Sequence, residues 1–204
     1  MEPFGVRCEE WGESMLGVAR TVPVTELDEG TLRRAVAGED AAARELVVMY
    51  QARVFALVSR MLAGRGRATV EDVAQETFLH VFRQLAKFDR DGVARLSTWI
   101  LTIAARRAID ELRRQRPALV PEVERVGEGR ADDRALRREL VGAIEAALAD
   151  LSPELRAAFL LREYHGLEYA EIARSLGIDL GTVKSRLSRA RAALRLTLAE
   201  VRNG

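Results

Sequence analysis

Lys184, Arg186, Arg189, Arg191 and Arg195 stand close together near the end of the chain, with Thr182, Ser185 and Ser188 among them. Cations hold phosphates, while hydroxyls and arginine forks bond to base edges in a major groove, so this set suits duplex nucleic acid. Val183, Leu187, Ala190 and Leu194 recur at three- and four-residue intervals through the same stretch. That spacing gives one helix an apolar stripe to bury and leaves the polar residues on the neighbouring side. Upstream, a short helix from about Tyr169 to Ser175 carries Ile172, Ala173 and, just beyond, Leu176 inward; Gly177 supplies a sharp turn, and Asp179 is placed to cap the next helix. Short helix, turn and second helix with a polar face make a helix-turn-helix. The apolar stripe holds valine, leucine and alanine rather than phenylalanine or tryptophan, which suits a protein core better than a membrane surface.

A second constellation lies in "RLSTWILTIAARRAIDELRRQRP". Trp99 stands near the start of a helix, and Arg106, Arg107, Arg113, Arg114 and Arg116 follow along it. Aromatic rings stack on unpaired bases while arginines neutralise phosphates, so the segment suits separated strands. A tryptophan taken alone is more often a core residue. A third stretch, "VEDVAQETFLHVFRQLAKFD", places Asp72, Gln75, Glu76 and Leu79 on one exposed helical side, with Phe78 beside them.

Other chemistries find little support. His80 and His165 stand without a cysteine, histidine or carboxylate partner at ligand spacing, and Cys8 is the only cysteine. No metal, cofactor or catalytic residue is expected, and the protein is read as not an enzyme. No apolar run spans a bilayer and no secretory leader is evident, so an intracellular, cytoplasmic setting is expected without membrane insertion.

These residues need helices to position them. The chain has 204 residues, 48% hydrophobic and only 5% aromatic, with 5 prolines, a composition of all-α proteins. The net charge of +1 hides segregation: acidic residues dominate 1–30, and basic residues dominate 106–116 and 184–195. Residues 1–30 read as a flexible acidic extension. Helical periodicity begins at Leu32, with Leu46, Met49, Tyr50, Val54, Leu57 and Val58 forming one stripe. "AGRGRA" breaks it, Thr69 is placed as a cap, and the next helix aligns Val73, Thr77, Val81 and Leu85 as far as about Lys87. Ser97 is placed to cap a helix that Pro117 stops at about Arg116. Residues 117–135 hold two prolines, two glycines and mixed charge, too long for an ordinary connection inside one domain. Ser152 with Pro153 opens a helix beyond it. The reading is two small helical domains, 31–116 and 136–204, joined by a flexible linker.

Taken together and in this order, the segments resemble bacterial RNA polymerase sigma factors of the extracytoplasmic-function group, over about residues 32–200. The family pattern D-x-x-Q-E-x-F is met by Asp72, Gln75, Glu76 and Phe78; the resemblance implies that they bind the clamp helices of the largest polymerase subunit. "STWILTIAARRAIDELRR" is similar to the family's −10 segment, which implies promoter contacts for Trp99, Thr102, Arg106, Arg107, Arg113 and Arg114. "GTVKSRLSRARAAL" is similar to its −35 helix, implying Thr182, Lys184, Ser185, Arg186, Ser188 and Arg189. One departure stands out. The family commonly has I-A-R-N-x-A-I-D, where this chain has Ile103-Ala104-Ala105-Arg106-Arg107-Ala108-Ile109-Asp110, so the Arg-Asn pair is replaced by Ala105-Arg106.

The resemblance implies an alternative sigma factor with region 2 and region 4 domains that recruits core polymerase, directs it to promoters and assists their melting. Its implied partners are the clamp helices and flap region of the polymerase, promoter DNA and an anti-sigma factor. Threading of the linker near the active cleft is implied in the same way. The alternative is a stand-alone helix-turn-helix repressor, which has little use for the Asp72-Gln75-Glu76 side or the Trp99 helix.

Overall fold

The computed structural model describes residues 25–89, 92, 94–114 and 142–203, with side chains to residue 197. The expected tail up to residue 24 and the expected linker, 117–135, lie outside the described residues. Every regular element described is helical: α1 (Glu29–Val36), α2 (Asp40–Met61), α3 (Arg67–Gln84) with a short 3-10 turn at Leu85–Lys87, α4 (Leu96–Arg114), α5 (142–149), α6 (Pro153–Glu163), α7 (Tyr169–Leu176) and α8 (Leu180–Asn203). The all-α expectation holds for them.

Helices α1 to α4 pack around α2, whose Leu46, Val54, Leu57, Val58 and Met61 are completely buried. The stripe at Val73, Thr77, Val81 and Leu85 faces this core as its spacing predicts. Thr77 is tolerated there because its hydroxyl donates to the Val73 carbonyl at 2.7 Å. Helices α6, α7 and α8 form the second unit, and the buried apolar cluster runs on from the first into the second.

Three local expectations need correction. Helical structure begins at Glu29 rather than Leu32, with Asp28 accepting the Thr31 amide at 2.9 Å, and it breaks at Gly38, whose φ of +87° favours glycine. Thr69 does not cap α3; that helix starts at Arg67 after Gly66. Ser97 lies inside α4 and does not cap it. Instead the Glu26 carboxylate accepts both the Ser97 amide, at 3.1 Å, and the Ser97 hydroxyl, capping α4 from a distant segment. Ser152 does cap α6 as expected, accepting the Leu155 amide, with Pro153 in the first turn.

Glu26 also accepts the Tyr50 hydroxyl at 3.1 Å, and Tyr50 in turn accepts the Leu27 amide at 2.9 Å. Burial pushes the Tyr50 phenol well above its ordinary pKa, so it remains a neutral donor. One carboxylate thus joins the chain before α1 to both α2 and α4. Replacing Glu26 by alanine leaves a helix N-terminus and a buried hydroxyl without their acceptor and should cost about 1–3 kcal/mol in urea unfolding. Glu26→Gln should recover part of that loss, and an unchanged urea midpoint in both variants would refute the role.

Candidate nucleic-acid interface

Helix α8 is set by the turn before it. Gly177 adopts φ +67°, and the Asp179 carboxylate accepts the Thr182 amide at 2.7 Å and the Thr182 hydroxyl at 2.5 Å. These hydrogen bonds hold the Asp179 carboxyl below its ordinary pKa, so it stays ionised at the positive end of the helix. Val183, Leu187 and Ala190 are fully buried and Leu194 nearly so. Lys184, Ser185, Ser188 and Arg189 are therefore exposed, and Thr182 and Arg186 half-buried beside them. Arg189 lies back along the helix, its Nε donating to the Ser185 carbonyl at 3.3 Å. Arg191, read as a phosphate contact, is instead held by Glu163 at 2.6 and 3.1 Å and helps join α6 to α8.

Helix α4 forms one wall of a cleft of about 430 Å³. Trp99, Arg106 and Arg107 line that wall, and Glu171, Arg174 and Ser175 line the facing one. Trp99 is half-buried and packs on Phe88 with ring centres 5.3 Å apart, so it serves the core and the cleft together. Arg107 donates to His80 Nδ1 at 2.7 Å. Guanidinium can only donate, so Nδ1 accepts and the ring proton sits on Nε2, which requires the Gln84 amide, 2.7 Å away, to turn its oxygen rather than its nitrogen toward the ring. Burial, then Arg107 and Arg83, hold His80 below its ordinary pKa. Its neutral ring orients the Arg107 side chain.

The other residues that the resemblance assigns to −10 contacts are already engaged within the chain. Thr102 is buried in contact with α7, Arg113 donates to Glu154 at 2.6 Å, and Arg114 is paired with Glu111. Glu154 is raised by partial burial, but the Arg113 hydrogen bond and charge outweigh this and leave its pKa lowered.

On α3, Asp72, Gln75 and Glu76 are exposed on one side as their spacing predicts. Phe78 is not. It is 3% exposed and packs in the core with Ala74 and Val81, because 74, 78, 81 and 85 repeat at helical spacing on the inward side. It supports the exposed residues from behind. Sequence reasoning also assigned nothing to Arg174 or Ser175. Both line a cleft that exists only where α7 meets α4, which no local pattern announces.

Residues 46–118 match Sigma-70 region 2, and residues 142–194 match Sigma-70, region 4. The ECF RNA polymerase sigma factor SigK of Mycolicibacterium vanbaalenii is 34% identical over 197 residues, covering 90% of this chain and 96% of that protein. This chain belongs to the ECF sigma factors. The RNA polymerase sigma-H factor of Pseudomonas aeruginosa is 33% identical to it over 182 residues, covering 83% and 92% of the two chains. Among solved structures, CnrH in complex with the cytosolic domain of CnrY gives a TM-score of 0.62 at 26% identity, over 85% of this sigma factor and 97% of CnrH. RpoE of Bartonella quintana, in complex with the anti-sigma factor NepR, shares the fold with a TM-score of 0.61 at 21% identity, covering 76% and 96%.

The turn after α6 carries a titratable group against α2. His165 is half-buried; desolvation, then Arg53 and Arg60, depress its pKa to about 3. The unfolded chain protonates this ring near its ordinary value while the folded sigma factor does not. Stability from this residue is therefore complete above about pH 6.5 and falls as pH drops toward 3, by at most about 1.4 kcal/mol per pH unit. Urea unfolding at about pH 7 and pH 5 should show a larger loss for the unaltered protein than for His165→Gln. Equal losses would mean the ring is protonated in the folded state too.

Proposed function

We propose that this sigma factor binds core RNA polymerase through the exposed side of α3, reads −35 duplex with α8, and captures −10 bases of the opened strand with α4. The observation that carries the reading is α8, locked by its buried stripe so that Thr182, Lys184, Ser185, Arg186, Ser188 and Arg189 face outward together. A helix fixed in that way enters a major groove without reorganising, and its cations hold the flanking phosphates. The α3 side supports polymerase binding because Asp72, Gln75 and Glu76 share one surface over a packed Phe78. Trp99 and the arginines of α4 suit unpaired bases, and holding such bases offsets the cost of unstacking them. No ATP is needed for that step.

CnrH was solved with the cytosolic domain of CnrY, and we extend a protein partner of that kind, an anti-sigma factor, to this chain. No described helix is long and apolar enough to cross a membrane, and we place the protein in the cytoplasm beside its polymerase.

Two measurements test the assignments. Gln75→Ala with Glu76→Ala should keep the urea midpoint but weaken core polymerase binding by about 2 kcal/mol, the scale of an interface hot spot. Unchanged affinity rejects the α3 surface. On α8, either Arg186→Ala or Arg189→Ala should cost about 1–3 kcal/mol in holoenzyme binding to a cognate promoter and relax selectivity at one base position. If both weaken all sequences alike, the two arginines serve phosphates only.

A further inference from the structure

Among the described arginines of α4, Arg107 is held in a different way from the rest. Arg113 and Arg114 are paired with carboxylates, and Arg106 commits its Nε to the Ser175 carbonyl at 3.0 Å. Arg107 instead donates from Nη2 to a neutral ring, His80 Nδ1, and Gln84 holds that ring from its far side. His80 and Gln84 stand one turn apart on α3. The chain Gln84–His80–Arg107 therefore ties the guanidinium to a neighbouring helix, wholly within the first unit.

A neutral ring in that place does two things that a carboxylate would not. It orients the guanidinium through a directional hydrogen bond, and it leaves the positive charge uncompensated. His80 takes one of the donors of the fork. Asp110 and Glu171 line the same cleft, but among the described residues neither forms an ion pair with Arg107. Trp99, the buried Ile103 and Arg107 follow one another at intervals of four along one side of α4. From Trp99 to Arg107 is about 12 Å along the helix axis, or three or more stacked nucleotide steps of about 3.4 Å. A strand with one base on Trp99 thus brings a different base to Arg107.

We propose that Arg107, positioned by His80, reads an unpaired guanine of the opened −10 strand through O6 and N7 on its Hoogsteen edge. The inference rests on the role given to α4 above, and it adds a base identity and a positioning residue. Complementarity of donors and acceptors selects the base. Guanine presents two acceptors side by side on that edge, whereas adenine sets a donor beside its acceptor and cytosine presents a donor. Guanidinium carries no acceptor to meet those donors. A phosphate accepts from many directions, so a mobile cation such as the exposed Arg106 serves it without a second residue for orientation. On a separated strand the base edges are open to such a side chain.

The test uses holoenzyme assembled with core polymerase. It selects strands from single-stranded DNA carrying about twelve random positions, and the bound strands are sequenced. At one position guanine should exceed every other base by at least about fivefold. Replacing that guanine by 7-deazaguanine, which keeps O6 and the Watson–Crick edge but lacks the N7 acceptor, should weaken binding several-fold. Arg107→Lys keeps the charge without the fork, and His80→Leu removes the acceptor; each, verified as folded by its urea midpoint, should level the preference at that position. His80→Asn, whose carboxamide oxygen replaces Nδ1, should restore it, and Arg107→Gln should shift it toward adenine. Guanine preference that survives Arg107→Lys overturns the inference, as does equal binding of 7-deazaguanine. Arg107 variants that weaken all strands alike overturn it in favour of a phosphate contact, and a His80→Asn protein that behaves like His80→Leu removes the positioning role. If the unaltered holoenzyme enriches no strand at all, α4 does not capture bases and the inference falls with that role; enrichment without an Arg107-dependent guanine rejects this inference alone.

Discussion

An α-helix ends in carbonyls that its own backbone cannot satisfy, and how this chain meets that constraint decides how its halves sit together. Two helix ends face the boundary between the units, those of α2 and α7, and each receives an arginine from the opposite unit. Arg156 is the more committed of the two. Burial lowers its pKa to about 10, with Asp150 opposing and Arg65 adding to the effect, so it is still charged at neutral pH. Its guanidinium is satisfied largely by main-chain carbonyls, and its Nε is buried without a protein partner. Such a cation fixes geometry more than it contributes stability. Wherever Arg156 goes, the ends of α2 and α5 must go with it.

Much of the second unit was legible because its determinants are local. The Ser152-Pro153 start, the Gly177 turn, the Asp179 cap and the stripe of α8 each involve residues within one or two turns of one another. The three-and-four spacing of α3 was equally readable, and it contained the signal that Phe78 points inward, had the 74-78-81-85 series been followed. What escaped was long-range. Glu26 lies 71 residues from Ser97 in sequence, and no local pattern connects a carboxylate before α1 with the start of α4. Thr69 had the chemistry of a cap, but Gly66, three residues earlier, let α3 begin sooner. Arg113 read as a phosphate contact until Glu154 was brought beside it by tertiary structure.

The departure at Ala105-Arg106 acquires a physical account from packing. Ala104, Ala105 and Ala108 are all completely buried, giving α4 a flank of small residues against its neighbours. The position where the family pattern has arginine is thus inside the core of this chain, where a guanidinium would be left without water or a partner. The cation stands one residue later, at the exposed edge, where the end of α7 can receive it.

The acceptors at the boundary are mostly neutral. Arg106 and Arg156 donate to carbonyls rather than carboxylates, so mobile ions have little charge attraction to screen between those partners. Nucleic-acid binding responds differently, since each phosphate contact releases counterions and weakens steeply as salt rises. Rising salt therefore weakens phosphate contacts while leaving the hydrogen bonds of Arg106 and Arg156 to carbonyls largely intact. The boundary is held mainly by hydrogen bonds to main-chain carbonyls, and the Arg113–Glu154 ion pair at its margin is the part that salt can loosen.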